Sequence, residues 1–151
     1  MELQLLRNVP NATPAELRER IVAFERELFR HPQVDIPVMQ WFSHGTYVRQ
    51  ITIPAGVILT GKIHKHACMS IVLSGEMEVV TDQGPRRIVG PVVYESPAGV
   101  KRAGRAITEC VWLTVHPYQG EPLGADAMAA IFTVDTFEQL EHYRNQLEHL
   151  A

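Results

Sequence analysis

The chain is short of cysteine, short of aromatic side chains and nearly balanced in charge. Cys68 and Cys110 are its only cysteines. A disulfide framework is therefore not the source of stability, and a reducing, cytoplasmic setting with both thiols free is the expectation. The formal net charge of −3 gives no electrostatic ground for nucleic acid or an anionic membrane as partner. No apolar run approaches the roughly 18–20 residues that a membrane helix needs. The opening residues Met1-Glu2-Leu3-Gln4-Leu5-Leu6-Arg7 lack the basic start and long apolar stretch of a secretory signal, so none is expected. Gly-x-Ser-x-Gly, a phosphate-cradling glycine loop and Cys-x-x-Cys are missing too. Serine-triad hydrolysis and P-loop nucleotide binding are thus unsupported.

What the chain does have is apolar material, 46% of 151 residues, enough for the core of one domain over 1–151. Thr13-Pro14-Ala15-Glu16 reads as a helix start: Thr13 caps, Pro14 takes the first helical position and Glu16 completes a capping box. Leu17, Ile21, Phe24 and Leu28 follow on one face, so a helix is expected over about 14–30, ending before Pro32. Its stripe needs cover from the domain or from a partner subunit. From about 38 to 117 the sequence turns to short runs of Val, Ile, Thr and Tyr between turn signals such as Pro54-Ala55-Gly56 and Asp82-Gln83-Gly84-Pro85, the pattern of an antiparallel sandwich or barrel. Ala125 to Phe132 reads as either helical or extended. Thr136-Phe137-Glu138-Gln139 has capping-box form and opens a closing helix over about 137–149.

Gly61-Lys62-Ile63-His64-Lys65-His66-Ala67-Cys68 is the segment richest in ligand chemistry. His64 and His66 stand two apart in an expected strand, which places both imidazoles on one face. If that face is the interior, they can converge on a divalent ion; if the strand end is exposed, they are surface residues beside Lys62 and Lys65. Cys68 is a ligand candidate as a thiolate, or a small buried hydrophobe. His116 closes the run Cys110-Val111-Trp112-Leu113-Thr114-Val115-His116, as a fourth ligand or as a strand-end surface residue. Arg102, Glu95 and Tyr47 are the candidates for contact with a small ligand. An inward Arg102 would favour a carboxylate or phosphate; otherwise it is a loop charge among Lys101 and Arg105. Tyr47, with Tyr94, Trp112 and Met69, also reads as wall and core.

Two stretches resemble the paired motifs of the cupin superfamily. Pro54-Ala55-Gly56, His64-Lys65-His66 and Ile71-Val72-Leu73-Ser74-Gly75-Glu76-Met77-Glu78-Val79 follow the first motif. Gly90-Pro91-Val92-Val93-Tyr94-Glu95-Ser96-Pro97-Ala98-Gly99-Val100-Lys101-Arg102 follows the second, with one extra residue before Pro97. The resemblance implies a mainly β fold: one antiparallel, jelly-roll-like cupin β-barrel flanked by an N-terminal and a C-terminal helix. Two positions depart from the family pattern. Its metal-binding Glu falls on Cys68, and its second-motif His falls on Arg102. Either the metal site is lost or it is rebuilt with substitutes. Ile53-Pro54-Ala55-Gly56, Leu59 to Lys65, Lys101-Arg102-Ala103-Gly104 and Val111 to His116 further resemble small cupin-like proteins of bacteriophage and prophage genomes. In those, as the resemblance implies, the positions of His64 and His116 are shared and His can stand where this chain has Cys68.

Two functions follow as expectations. The first is a barrel holding a divalent metal (zinc favoured; iron, nickel or manganese as alternatives) on His64, His66, Cys68 and His116, next to a small polar ligand. The second is a metal-free module for ligand binding or for interaction with a host protein. A homodimer is expected in both cases.

Overall fold

The computed structural model describes residues 2–7 and 9–151. In chain order its elements are α1 (Gln4–Arg7), α2 (Pro14–Leu28), β1 (Val38–Ser43), β2 (Thr46–Ile53), β3 (Ile58–Thr60), β4 (Ile63–His64), β5 (Cys68–Ser74), β6 (Glu76–Thr81), β7 (Gly84–Val89), β8 (Val92–Ser96), β9 (Ala103–Ala106), β10 (Cys110–Pro117), α3 (Ala125–Phe132), β11 (Thr133–Val134) and α4 (Phe137–Leu150).

Eight of the strands form two antiparallel four-stranded layers. One has the order β2-β10-β5-β8, with β1 added at the β2 edge; the other is β3-β9-β6-β7. Apart from the β6–β7 hairpin within the smaller sheet, successive strands of these eight alternate between layers in the manner of two Greek keys, which is the jelly-roll arrangement. The inner faces meet in one core of Ile53, Val72, Met77, Val79, Ile88, Ala106 and Cys110, drawn from both sheets. The mainly β, jelly-roll-like fold with flanking helices is the one expected; within it the two sheets face one another and are not closed into a barrel by hydrogen bonds. The reason lies in the corners. Where the chain passes from one sheet to the other, at Pro54–Gly56, Gly75 and Gly90–Pro91, the ladder stops. Gly75 shows how tight such a corner is. Its φ is +92°, and a Cβ there would meet Glu109 O at 2.1 Å, so only glycine fits.

Helix α2 is capped as the residues imply: Thr13 accepts from the Glu16 N–H while Glu16 reaches back to the Thr13 backbone. Its stripe, Ile21 and Phe24 foremost, packs with Leu3, Leu6, Val80 and Ala103 on the outer side of the smaller sheet. The stripe is therefore covered by its own chain and leaves nothing for a partner subunit to bury. Ala125 to Phe132 is helix α3, and α4 opens with a capping box between Thr136 and Gln139. Between the Pro54–Gly56 corner and His66 the chain is divided at Gly61 and Lys62. β3 joins the smaller sheet, whereas β4 pairs with β11, setting Thr133 opposite His64 and Val134 opposite Ile63.

Candidate metal centre and cavity

The strand registers sort the inner face of the larger sheet into rows. Tyr47 stands opposite His116, and Cys68 opposite Ser96. The next row runs Arg49, Thr114, Ser70, Tyr94 across four strands, and the row after it runs Ile51, Trp112, Val72, Val92. Because side chains of one face recur every second residue, the interior changes from polar to apolar along the strands. A cavity of about 360 Å³ occupies this interior, with Arg49, His64, Arg102 and His116 at its polar end and Ile51 and Trp112 among its apolar walls. Helix α3 closes one side through Ala125, Ala129 and Phe132. It is held there by Lys65, whose N–H donates to Phe132 O at 2.8 Å and whose Nζ donates to Ala130 O at 3.0 Å.

At the polar end His64, Cys68 and His116 come together, each offering a ligand atom within 4.8 Å of the others. Cys68 Sγ is 3.5 Å from His64 Nδ1. Zinc–ligand bonds of about 2.0–2.1 Å to nitrogen and 2.3 Å to sulfur, at tetrahedral angles, would separate such a pair by about 3.6 Å. The donor chemistry suits a borderline-soft divalent ion. Burial holds both imidazoles neutral, lowering each pKa to about 4. For His64 the charges of His116, Arg102 and Arg49 add to the burial, and for His116 that of Arg49 does. Their lone pairs are thus available at neutral pH. Burial also pushes the Cys68 thiol up, with Arg102 pulling the other way, so a metal would have to displace its proton. The His116 ring is stacked 4.3 Å from Phe132 and 5.5 Å from His64, and the Thr114 hydroxyl sits 3.1 Å from its Nε2. These contacts fix its orientation, as outer partners do for metal-binding histidines.

His66 is not brought to this group. β4 ends at His64 and the chain bends at residues 65 and 66. His66 is exposed, with its Nε2 2.7 Å from the Tyr143 hydroxyl of α4, so the expectation that both histidines share one face is not met. Glu95 is likewise turned away: it is exposed and stands opposite Met69 on the outer face, while Tyr94 and Ser96 take the inner phase of β8. Tyr47 is fully buried in the cavity wall and donates its hydroxyl proton to Gln40 Oε1 at 2.7 Å. Arg102 points inward and donates to Ser96 Oγ, and so is not the solvated loop charge that its neighbours suggested. Among those neighbours Lys101 is the buried one, paired with Glu25 of α2 at 2.5 Å. Sequence reasoning missed Arg49. The signal was its phase: Tyr47, Ile51 and Ile53 mark one face of β2, and Arg49 sits between them.

No family model matches the chain, and no curated protein matches it. Among solved structures it is similar to a cupin superfamily protein from Desulfitobacterium hafniense, at 14% identity, with 59% of this chain and 83% of that one covered and a TM-score of 0.47. It is similar to an RmlC-like cupin family protein with a double-stranded β-helix fold from Methanocaldococcus jannaschii, at 18% identity, 58% and 84% coverage and a TM-score of 0.46. A conserved protein of unknown function from Streptococcus pyogenes is similar at 19% identity, 60% and 80% coverage and a TM-score of 0.45. The class of this fold, a jelly roll, is defined by the chain's own strand order.

Proposed function

We propose that this chain is a cupin-type jelly roll that holds a divalent metal on His64, Cys68 and His116 and binds a small polar ligand in the adjoining cavity. The observation that carries this reading is the convergence of three donor atoms within 4.8 Å at the wall of a cavity of about 360 Å³. Zinc is the favoured ion, since two neutral imidazoles and a thiolate suit it and leave a fourth position for water or ligand. Bound there, the metal would act as a Lewis acid toward an oxygen of the ligand. Both cysteines are free, and a reducing compartment, the cytoplasm, suits a centre that needs Cys68 as a thiol. Elemental analysis of protein purified without a histidine tag tests the reading. Close to one equivalent of metal is expected, lost in His64→Ala. Absence of metal, with no rise in melting temperature on adding zinc, iron, nickel or manganese, overturns it.

A second reading is favoured by the same 3.5 Å contact. A thiol donating to an imidazole nitrogen satisfies Cys68 and His64 without any ion. In that case the jelly roll is a metal-free binding module, and its ligand affinity survives chelation.

A second copy of the chain is the proposed partner. The outer face of the five-stranded sheet carries Trp41, 45% exposed, and Val93, 61% exposed, with Met39, Met69 and Leu73 also exposed. An apolar face of this kind, with Glu95 beside Met69 as a charged member, suits isologous pairing.

A further inference from the structure

We infer that the ligand of this cavity is a small carboxylic acid with an apolar tail, its carboxylate received by Arg49 and Arg102. The inference rests on the reading of the cavity as a ligand site, though not on the metal.

It starts from how the chain treats its buried charges. Lys101 is 3% exposed and is paired with Glu25 at 2.5 Å, and buried Asp82 is met by Arg18 at 2.8 Å. Arg49 and Arg102 are treated differently. Both are half-buried and line the cavity, and among the described residues neither is in a salt bridge. Arg102 has the neutral hydroxyl of Ser96 as its partner. Arg49 Nε is buried with no hydrogen-bond partner, and so is the Tyr94 hydroxyl, which stands in the same row of the sheet. Burying charged or polar groups without partners costs stability unless something compensates. Here the two guanidinium groups line one cavity as planar donor forks with no salt-bridge partner, and the Tyr94 phenol stands in the row of Arg49. A carboxylate answers that set, since guanidinium forks meet its two oxygens in bidentate geometry.

The tail follows from the rows. One step along the strands from Arg49 and Thr114 stand Ile51 and Trp112, faced across the cavity by Met77 and Val79. That step is roughly 7 Å for two residues, a length suited to a short aliphatic or single-ring tail. Inorganic phosphate would leave these walls unsatisfied. Asp126 of α3 also lines the cavity and offsets part of the charge of Arg49, which leaves Arg102 as the more strongly unpaired of the two receivers.

Isothermal titration of the metal-free protein with hexanoate, hexan-1-ol, acetate and inorganic phosphate tests the inference. Hexanoate is expected to bind at least tenfold more tightly than each of the other three. Arg49→Gln and Arg102→Gln are each expected to weaken hexanoate at least tenfold while leaving the weak hexanol binding unchanged. Because each substitution removes a half-buried charge that has no salt-bridge partner, the urea midpoint of each variant is expected to hold or rise. Equal binding of hexanol and hexanoate, no binding of hexanoate, tighter binding of phosphate, or unchanged hexanoate affinity in both variants overturns the inference. So does a large fall in midpoint with either variant, which would make that guanidinium structural. The metal reading is judged separately, by elemental analysis. Arginine-dependent hexanoate binding without metal sustains this inference while that reading fails, and the reverse result does the opposite.

Discussion

The thiol of Cys68 lies 3.5 Å from Nδ1 of His64, and the two residues reach this contact from different sheets. Cys68 begins β5 in the five-stranded sheet, whereas His64 ends β4, whose ladder partner is β11. The donor group is therefore assembled by tertiary structure, and its third member, His116, comes from β10. Removing the sulfur should reveal whether this convergence serves a metal. Cys68→Ser is expected to weaken zinc binding by more than the 10- to 100-fold typical of lost outer-shell partners, measured by competition with a chromophoric chelator. At a hundredfold excess over its dissociation constant, zinc should stabilise the wild type by about 2.7 kcal/mol. For about 150 residues that is roughly 5–10 °C in melting temperature, and Cys68→Ser should lose most of it.

Acid should destabilise the metal-free protein over a defined window. His64 and His116 have pKa values lowered to about 4 in the fold, by burial first and by neighbouring positive charge second. In the unfolded chain both return to about 6.5. Above pH 6.5 both states are neutral there and neither histidine affects stability. Between about 6.5 and 4 the unfolded state binds more protons, so stability falls as pH falls and levels off below 4. Arg49 and Arg102 face these rings and reinforce the effect, while Asp126 at the rim opposes it through Arg49. Urea midpoints between pH 7.5 and 4.5 should drop more steeply for the wild type than for a His64→Gln, His116→Gln double variant. Parallel slopes would show that the rings are not held neutral by burial.

The pair of buried Lys101 and half-buried Glu25 ties α2 to the loop before β9, with the Thr60 hydroxyl also donating to the Glu25 carboxylate. Removing one partner leaves the other charged without compensation. Lys101→Met should cost about 3–5 kcal/mol, and a Lys101→Met, Glu25→Leu double variant should recover most of that. Urea denaturation of the single and double variants gives the comparison. An additive double variant would mean that the pair is not coupled.

What the sequence disclosed and what it withheld divides by range. Both capping boxes, Thr13 with Glu16 and Thr136 with Gln139, are local devices readable within four residues. The strand-rich middle, with corners at Pro54–Gly56 and Gly75, is equally local. His66 was misread because its neighbourhood is set by Tyr143, 77 residues away. Glu95 was misplaced by one residue of phase, and in a strand one residue exchanges the faces. The mainly β, jelly-roll-like fold with its two flanking helices was legible, whereas the open edges of its sheets were not, since which edges pair depends on contacts that no local pattern encodes. Arg49 was visible in principle, as a charge in the apolar phase of β2, and went unread because no motif marks it.

The outer face of the five-stranded sheet gives the last prediction. Trp41 on β1 stands opposite Val48, Val48 opposite Val115, and Val115 opposite Met69, so one row of the outer face is apolar from β1 to β5. The neighbouring row continues it through Leu113, Ile71 and Val93. The smaller sheet, by contrast, has its outer side covered by α2. A dimer through the larger sheet would bury Trp41 and Val93 and leave the cavity residues untouched, because inner and outer faces alternate along each strand. Light scattering at micromolar concentration should return twice the chain's 17.0 kDa. Trp41→Glu with Val93→Glu should return the monomer mass while zinc and hexanoate binding persist. A monomeric wild type would leave this face without its partner and overturn the assignment.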